Sequence, residues 1–229
     1  MVEEISVFFP VFNEEKNLER LVKLTSKTLN RLAKNYEILI INDGSTDRTK
    51  RISEEISSKN KKVKLIAHEK NFGYGRALRS GLSNAAYPLI CFTDSDGQFD
   101  FNEVGKFLNP THADLLIGYR IKRVDSMHRV FLAKVYNLLL RILFNLKVKD
   151  PDCGFKLIKR KALEKILPLK SEGAFISGEL LIKANRAGLQ FKEVGVCHYP
   201  RKHGVQTGAR LKVIFGAFKE MINFYLKPS

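Results

Sequence analysis

No run of the roughly 20 uninterrupted apolar residues that a membrane-spanning helix needs occurs in this 229-residue chain. Its start, Met1-Val2-Glu3-Glu4, is acidic where a signal peptide is basic, so neither a spanning anchor nor a secretory leader is expected. Cysteine is scarce: Cys91, Cys153 and Cys197 are odd in number, far apart and without a CxxC pair. That excludes a disulfide framework and a thiolate zinc site, and it points to a reducing compartment. GxGxxG and GxxxxGK[ST] are both missing, which disfavours a dinucleotide dehydrogenase and a P-loop ATPase. His68, His112, His128, His198 and His203 lack HExxH or comparable metal spacing and are assigned no catalysis.

Acidic residues are also few, with 24 Asp and Glu against 40 Lys and Arg for a net charge of +16. The imbalance is uneven: residues 1–100 hold 16 basic and 14 acidic side chains, residues 101–229 hold 24 and 10. A positive field of that size in the second half favours polyanions, meaning nucleic acid, nucleotide phosphates or an anionic membrane surface. The plain alternative is a lysine-rich solvated surface.

What is present is a chain 44% hydrophobic with 15 Gly and 7 Pro, apolar enough to bury a sizeable core. In the first hundred residues short apolar runs alternate with helical periodicity, the pattern of parallel strands joined by crossover helices. Strands are expected at 5–9, 36–41, 63–67 and 89–93, with helices at 15–34 and 73–86 and another following Asp47. Further on, the pattern predicts helices at 102–109, 126–146, 160–167, 174–187 and 211–226, with extended segments at 114–118, 155–159 and 191–196. No linker or repeat interrupts the chain. The expectation is one α/β domain over 1–229, whose second half supplies the rest of a site begun in the first.

In an open parallel sheet, ligands bind beyond the carboxyl ends of the strands. Here those ends carry Asn13 and Glu14, Asp43, and Asp94 with Asp96. One such carboxylate is usually a helix cap. Four converging on one edge repel one another, so a cation should share the site. Asp94-x-Asp96-x-Gln98 offers alternate oxygen ligands suited to Mg²⁺ or Mn²⁺ holding a diphosphate.

In context these pieces resemble the family 2 glycosyltransferases of the GT-A fold, and within them the polyprenyl-phosphate (dolichyl-phosphate) mannose and glucose synthases. The resemblance rests on Phe9-Pro10-Val11-Phe12-Asn13-Glu14, Asn42-Asp43-Gly44-Ser45-Thr46-Asp47, Asn71-Phe72-Gly73-Tyr74-Gly75 with Ala77, and Asp94-Ser95-Asp96-Gly97-Gln98. In the second half it rests on Gly118-Tyr119-Arg120, Asp150-Pro151-Asp152-Cys153-Gly154-Phe155, and Pro200-Arg201 followed by Gly204. It implies a Rossmann-like, mostly parallel sheet flanked by helices, with 1–100 as the nucleotide-binding half and 101–229 as the acceptor and membrane-interface half. It also implies inverting transfer of a hexose from a nucleotide diphosphate sugar, GDP-mannose or UDP-glucose, to a polyprenyl phosphate. Pro10, Phe12, Asn13, Glu14, Asp43, Asp94, Ser95 and Arg120 are then expected at the nucleotide. Asp94, Asp96 and Gln98 are expected at the metal, and Asp96, Arg129 and Arg201 in catalysis, the arginines on phosphates. The chain departs from the family at Gln206-Thr207, where a Ser-Lys pair is common; Lys202 or Lys212 are the candidate substitutes.

Two helices carry more apolar surface than one core-facing side can bury. Around 126–146 the polar positions Lys134, Asn137, Arg141 and Asn145 form one narrow stripe, and 211–226 repeats the design. Either the two pack on each other, or they form an interfacial pair lying in a membrane surface with Arg129, Lys147 and Lys149 at lipid phosphates. The lipid acceptor implied by the resemblance favours the second, hence a peripheral protein of the cytoplasmic membrane face. Two rival functions remain. One is a transferase to a sugar or glycan hydroxyl with Glu179, in Ser177-Gly178-Glu179-Leu180-Leu181, as base. The other is a basic nucleic-acid-binding protein, opposed by the carboxylate cluster and by the lack of an RRM signature or helix-turn-helix.

Overall fold

The computed structural model describes residues 1–109, 111–124, 127–204 and 211–227. The first half alternates as its periodicity requires: β1 (Val2–Val11), α1 (Leu18–Leu32), β2 (Ala33–Asn42), α2 (Thr49–Lys59), β3 (Val63–Ala67), α3 (Tyr74–Asn84) and β4 (Leu89–Phe92). A short 3₁₀ turn and α4 (Val104–Phe107) follow, then β5 (Leu115–Arg120), α5 (Met127–Phe144), β6 (Lys156–Lys159) and α6 (Arg160–Glu164). The chain continues through α7 (Ile176–Arg186), β7 (Phe191–Val196) and α8 (Leu211–Leu226).

One seven-stranded sheet takes strands from both halves in the order β3-β2-β1-β4-β6-β5-β7. β1 pairs in parallel with β2 and β4, β2 with β3, and β5 with β7, while β6 runs antiparallel to both its neighbours. Side chains alternate between two cores. Val7, Phe9, Ile38 and Ile40 point toward α1, whereas Phe8, Leu39 and Ile41 point toward α3 and the second-half helices. Burial on both faces is why β1 and β2 read as continuous apolar runs rather than alternating ones.

Of the two arrangements their sequence left open, the apolar helices adopt mutual packing, on one side of each. Their inner sides pack together: the Tyr136 and Phe218 rings meet edge-on at 5.9 Å, and Phe144 lies 6.0 Å from Phe224 and 5.7 Å from Tyr225. Their outer sides stay open, with Phe131, Leu138 and Ile142 on α5 and Phe215 and Ile222 on α8 all exposed. Among the described residues no helix is long and apolar enough to cross a membrane.

Candidate active site

Because β1, β2 and β4 are parallel, their carboxyl ends open on one edge of the sheet. The segments leaving them, together with α5, α7 and α8, enclose a cavity of about 890 Å³. Pro10, Phe12, Glu14, Asp43, Asp94, Ser95, Asp96, Gln98, Arg120, Arg129 and Arg201 all line it. Eleven positions expected from sequence, spread over nearly two hundred residues, thus meet in one hollow.

The acids there carry more charge than their surroundings welcome. Burial pushes Glu14 up to about 7, despite a hydrogen bond from Asn17 and the nearby Arg201. Burial and the charge of Asp96 push Asp94 up to about 6, against the pull of Lys156 and Arg120, and burial raises Asp96 as well. Asp152 is open to the cavity, yet desolvation within it and the charge of Asp150 hold its carboxyl near 6. A cation placed beside such groups would favour their charged form.

Protein cations meet part of that demand. Arg201 reaches across the sheet edge, pairing through one terminal nitrogen with Glu14 and through the other with Asp96 at 3.4 Å. Its Nε donates to the His203 carbonyl at 2.7 Å. Lys156 is fully buried on β6, donates to the Cys153 carbonyl, and feels Asp152 and Asp94; burial lowers its pKa nonetheless. Tyr74 donates to Asp94 at 3.3 Å. Gly154 lies so close that any Cβ there would collide with the Asp94 carboxylate. Arg120 is clamped by Asp150, with Nε and Nη2 both at 2.6 Å, so the guanidinium enters the cavity wall in a fixed orientation.

The donor set suits a hard divalent ion. Asp94 and Asp96 offer carboxylate oxygens, and Gln98 gives its amide nitrogen to the Tyr199 carbonyl at 3.1 Å, turning the amide oxygen away from that partner. Among the described residues no three His, Cys, Asp or Glu side chains are grouped to enclose an ion alone. An ion here would therefore be completed by water and substrate oxygens, the habit of Mg²⁺ and Mn²⁺ at phosphates.

Two expected site residues are placed elsewhere. Asn13, in the left-handed region at φ 56, turns its side chain to the next loop, where its Oδ1 accepts from the Thr46 amide at 2.8 Å. It shapes the end of β1 and does not line the cavity. Glu179 is fully buried in α7 and does not line the cavity either. It accepts from the Lys170 and Ser171 amides at 2.9 and 2.7 Å and pairs with Lys183 at 3.1 Å, so it has no path to a substrate proton. Ser95 lines the cavity, but its hydroxyl donates to the Pro10 carbonyl at 2.8 Å and ties β4 to β1.

Of the candidate lysines, Lys212 lines the cavity and Lys202 does not, while Gln206 and Thr207 lie outside the described residues. Sequence reasoning passed over Asp152, Arg123 and His198, which line the cavity, and Lys156 behind it. Only the Asp150–Phe155 element gave any signal for these.

Solved structures share this fold. Glucosyl-3-phosphoglycerate synthase from Mycobacterium tuberculosis, in complex with Mn²⁺, UDP-glucose and phosphoglyceric acid, superposes with a TM-score of 0.73 at 22% identity. The match covers 99% of this chain and 81% of that one. The same enzyme with Mg²⁺ and UDP gives 0.72. The shared fold is the GT-A arrangement. A dolichyl-phosphate beta-glucosyltransferase of Trichomonas vaginalis is 30% identical over 211 residues, 84% of this chain and 64% of that protein. An undecaprenyl-phosphate 4-deoxy-4-formamido-L-arabinose transferase of Pectobacterium atrosepticum is 26% identical over 216 residues, 93% and 65% respectively. The chain thus spans just under two thirds of the length of these relatives. The sequence pattern described as glycosyl transferase family 2 matches residues 6–167, most of the sheet and the whole carboxylate edge, and the chain belongs to that family.

Proposed function

We propose that this protein transfers a hexose from a nucleotide diphosphate sugar to a polyprenyl phosphate at a membrane surface, with Mg²⁺ or Mn²⁺. The observation that carries the proposal is a cavity lined by both charged and apolar side chains. Its carboxylates and guanidinium groups share the lining with Leu132, Ala133 and Tyr136 of α5 and with Val213, Ile214 and Ala217 of α8. A charged phosphate on an apolar chain fits such a hollow, and a sugar hydroxyl acceptor does not need the apolar wall. The same two helices expose their outer apolar sides beside the basic Lys134, Arg141 and Lys219, which suits a helix pair resting in anionic lipid. The curated relatives are named for dolichyl and undecaprenyl phosphate acceptors.

In this reading Pro10, Phe12 and Asp43 hold the base and ribose, and Arg129, Arg201 and Lys212 meet phosphate oxygens. Asp94, Asp96 and Gln98 would hold the divalent ion, which would supply positive charge against the leaving diphosphate. The acceptor phosphate, with a second pKa about 6, is already largely dianionic at pH 7, so its oxygen attacks without a protein base. Attack from the side opposite the diphosphate inverts the anomeric centre.

The test is to present GDP-mannose and UDP-glucose with polyprenyl phosphate in anionic vesicles and assay for glycolipid. Product on water-soluble sugars, with none on the lipid, refutes the proposal. The protein should also sediment with those vesicles, and Phe131→Glu with Ile142→Glu should leave it in the supernatant.

Arg201 yields a further expectation. Before substrate arrives it stands between Glu14 and Asp96, where its charge competes with a divalent ion. Removing it should tighten Mn²⁺ binding in the absence of nucleotide by about threefold to tenfold, and weaken nucleotide diphosphate binding by at least as much. Calorimetric titration of Arg201→Ala with each ligand reads both signs; the same sign for both rejects the exchange.

A further inference from the structure

Asp43 leaves the carboxyl end of β2 almost fully buried, and its two oxygens are unequally engaged. Oδ1 accepts from the Phe72 amide at 3.0 Å and faces His68 Nδ1 at 2.7 Å, while Oδ2 accepts from the Gly73 amide at 2.8 Å. Gly44, at φ +64, permits this closure, because any Cβ there would strike the backbone of Lys70 and Asn71. Two amide donors identify Asp43 as the acceptor, so Nδ1 of His68 carries the proton. In the neutral imidazole Nε2 is then the acceptor, and Ser80 Oγ lies 2.8 Å from it. The edge of Phe72 packs against the ring, the centroids 5.8 Å apart.

A serine, a histidine and an aspartate in this order suggest a nucleophile, but the surroundings do not. Ser80 sits in the middle of α3, where backbone N–H groups are committed to the helix, and neither Ser80 nor His68 lines the cavity. The relay points the other way, from Ser80 through His68 to Asp43, which does line it. Oδ1 has both lone pairs taken. Oδ2 has one left.

We infer that His68 is a positioning residue that fixes Asp43 as an acceptor-only reader of the donor's nucleobase, selecting bases that present a ring N–H. Uracil and guanine offer an imino N–H to such a lone pair; cytosine and adenine offer a bare ring nitrogen, which a carboxylate repels. The inference rests on the cavity being the nucleotide site, so the experiment separates the two.

UDP, GDP, CDP and ADP are titrated calorimetrically, with Mg²⁺ present, into wild type, Asp43→Asn, His68→Asn and His68→Gln. An Asn amide nitrogen occupies the position of Nδ1, whereas a Gln amide nitrogen occupies that of Nε2. The wild type should prefer UDP or GDP over CDP and ADP by about tenfold or more, the scale of one hydrogen bond to a charged group. His68→Gln should weaken the preferred nucleotide by about tenfold and erode the preference, with kcat at saturating donor within about threefold. His68→Asn should restore both. If His68→Gln binds and selects like the wild type while Asp43→Asn does not, the role of His68 is refuted and the nucleotide site stands. If both His68 variants lose affinity equally at unchanged melting temperature, the ring acts by packing and the inference fails. If Asp43→Asn itself binds all four like the wild type, the nucleotide placement of Asp43 is wrong.

Discussion

Asp96→Ala should lower hexose transfer by about a thousandfold or more, and excess EDTA should do the same to the wild type. Asp96 is raised by burial and stands beside Asp94, Glu14 and the Arg201 guanidinium, so it lies where anionic oxygens crowd and a cation belongs. In the proposed reaction a departing nucleotide diphosphate adds negative charge there. Stabilising that charge with a divalent ion accounts for several kcal/mol, which is the thousandfold. Because Asp96 Oδ1 also accepts from the Gln98 amide at 3.0 Å, alanine could in addition loosen the turn. Asp96→Asn retains an oxygen for that bond and should fail nearly as badly in transfer while melting like the wild type. Mn²⁺ binding followed by its electron paramagnetic signal gives a readout independent of turnover. Undiminished transfer in excess EDTA removes the metal from the mechanism.

The sheet was legible because local signals agreed. Val63–Ala67, Phe191–Val196 and Leu211–Leu226 have the boundaries their periodicity predicts, and β1 and β2 extend by a few residues at each end, where pairing to neighbours continues past the apolar run. What periodicity cannot encode is which strand lies beside which. β6 inserts antiparallel between β4 and β5, and that insertion carries Lys156 behind Asp94. In sequence Lys156 is an ordinary lysine opening a short extended run.

The carboxylate edge was legible for the opposite reason: each acid follows directly on a strong strand, so topology alone sends all of them to one side. His68 follows β3 in the same way but had no partner visible in sequence, since Asp43 and Ser80 are 25 and 12 positions away. The α5 and α8 sequences carry more apolar surface than one buried side takes up, and that excess remains on the outside of the packed pair.

Glu179→Gln should unfold earlier rather than react slower. Glu179 is fully buried, and although burial alone would raise its pKa, hydrogen bonds from Ser171 and Lys170 and the Lys183 ammonium outweigh this and hold it low. A glutamine turns one acceptor oxygen into a donor facing those amides and leaves Lys183, 12% exposed at its side chain, without its counter-charge. Breaking a buried pair from one side costs about 3 kcal/mol or somewhat more, about 6 to 12 °C in a domain of this size. The folded pKa is depressed, so the carboxylate's contribution is present above its unfolded pKa and is lost as pH falls through the folded one. The melting difference between wild type and variant should accordingly be full at pH 7 and shrink below about pH 4. Single-turnover transfer by the folded variant should stay within about threefold, because no proton of the substrate can reach this side chain. A collapse in rate at unchanged melting temperature would restore Glu179 as a base. A hydroxyl acceptor would need a carboxylate on the cavity to take its proton, and Asp152, pushed up to about 6, lines it. An already ionised phosphate acceptor makes that service dispensable, so Asp152→Asn should keep its rate within about tenfold, whereas a hydroxyl acceptor would show a loss of about a hundredfold to ten-thousandfold.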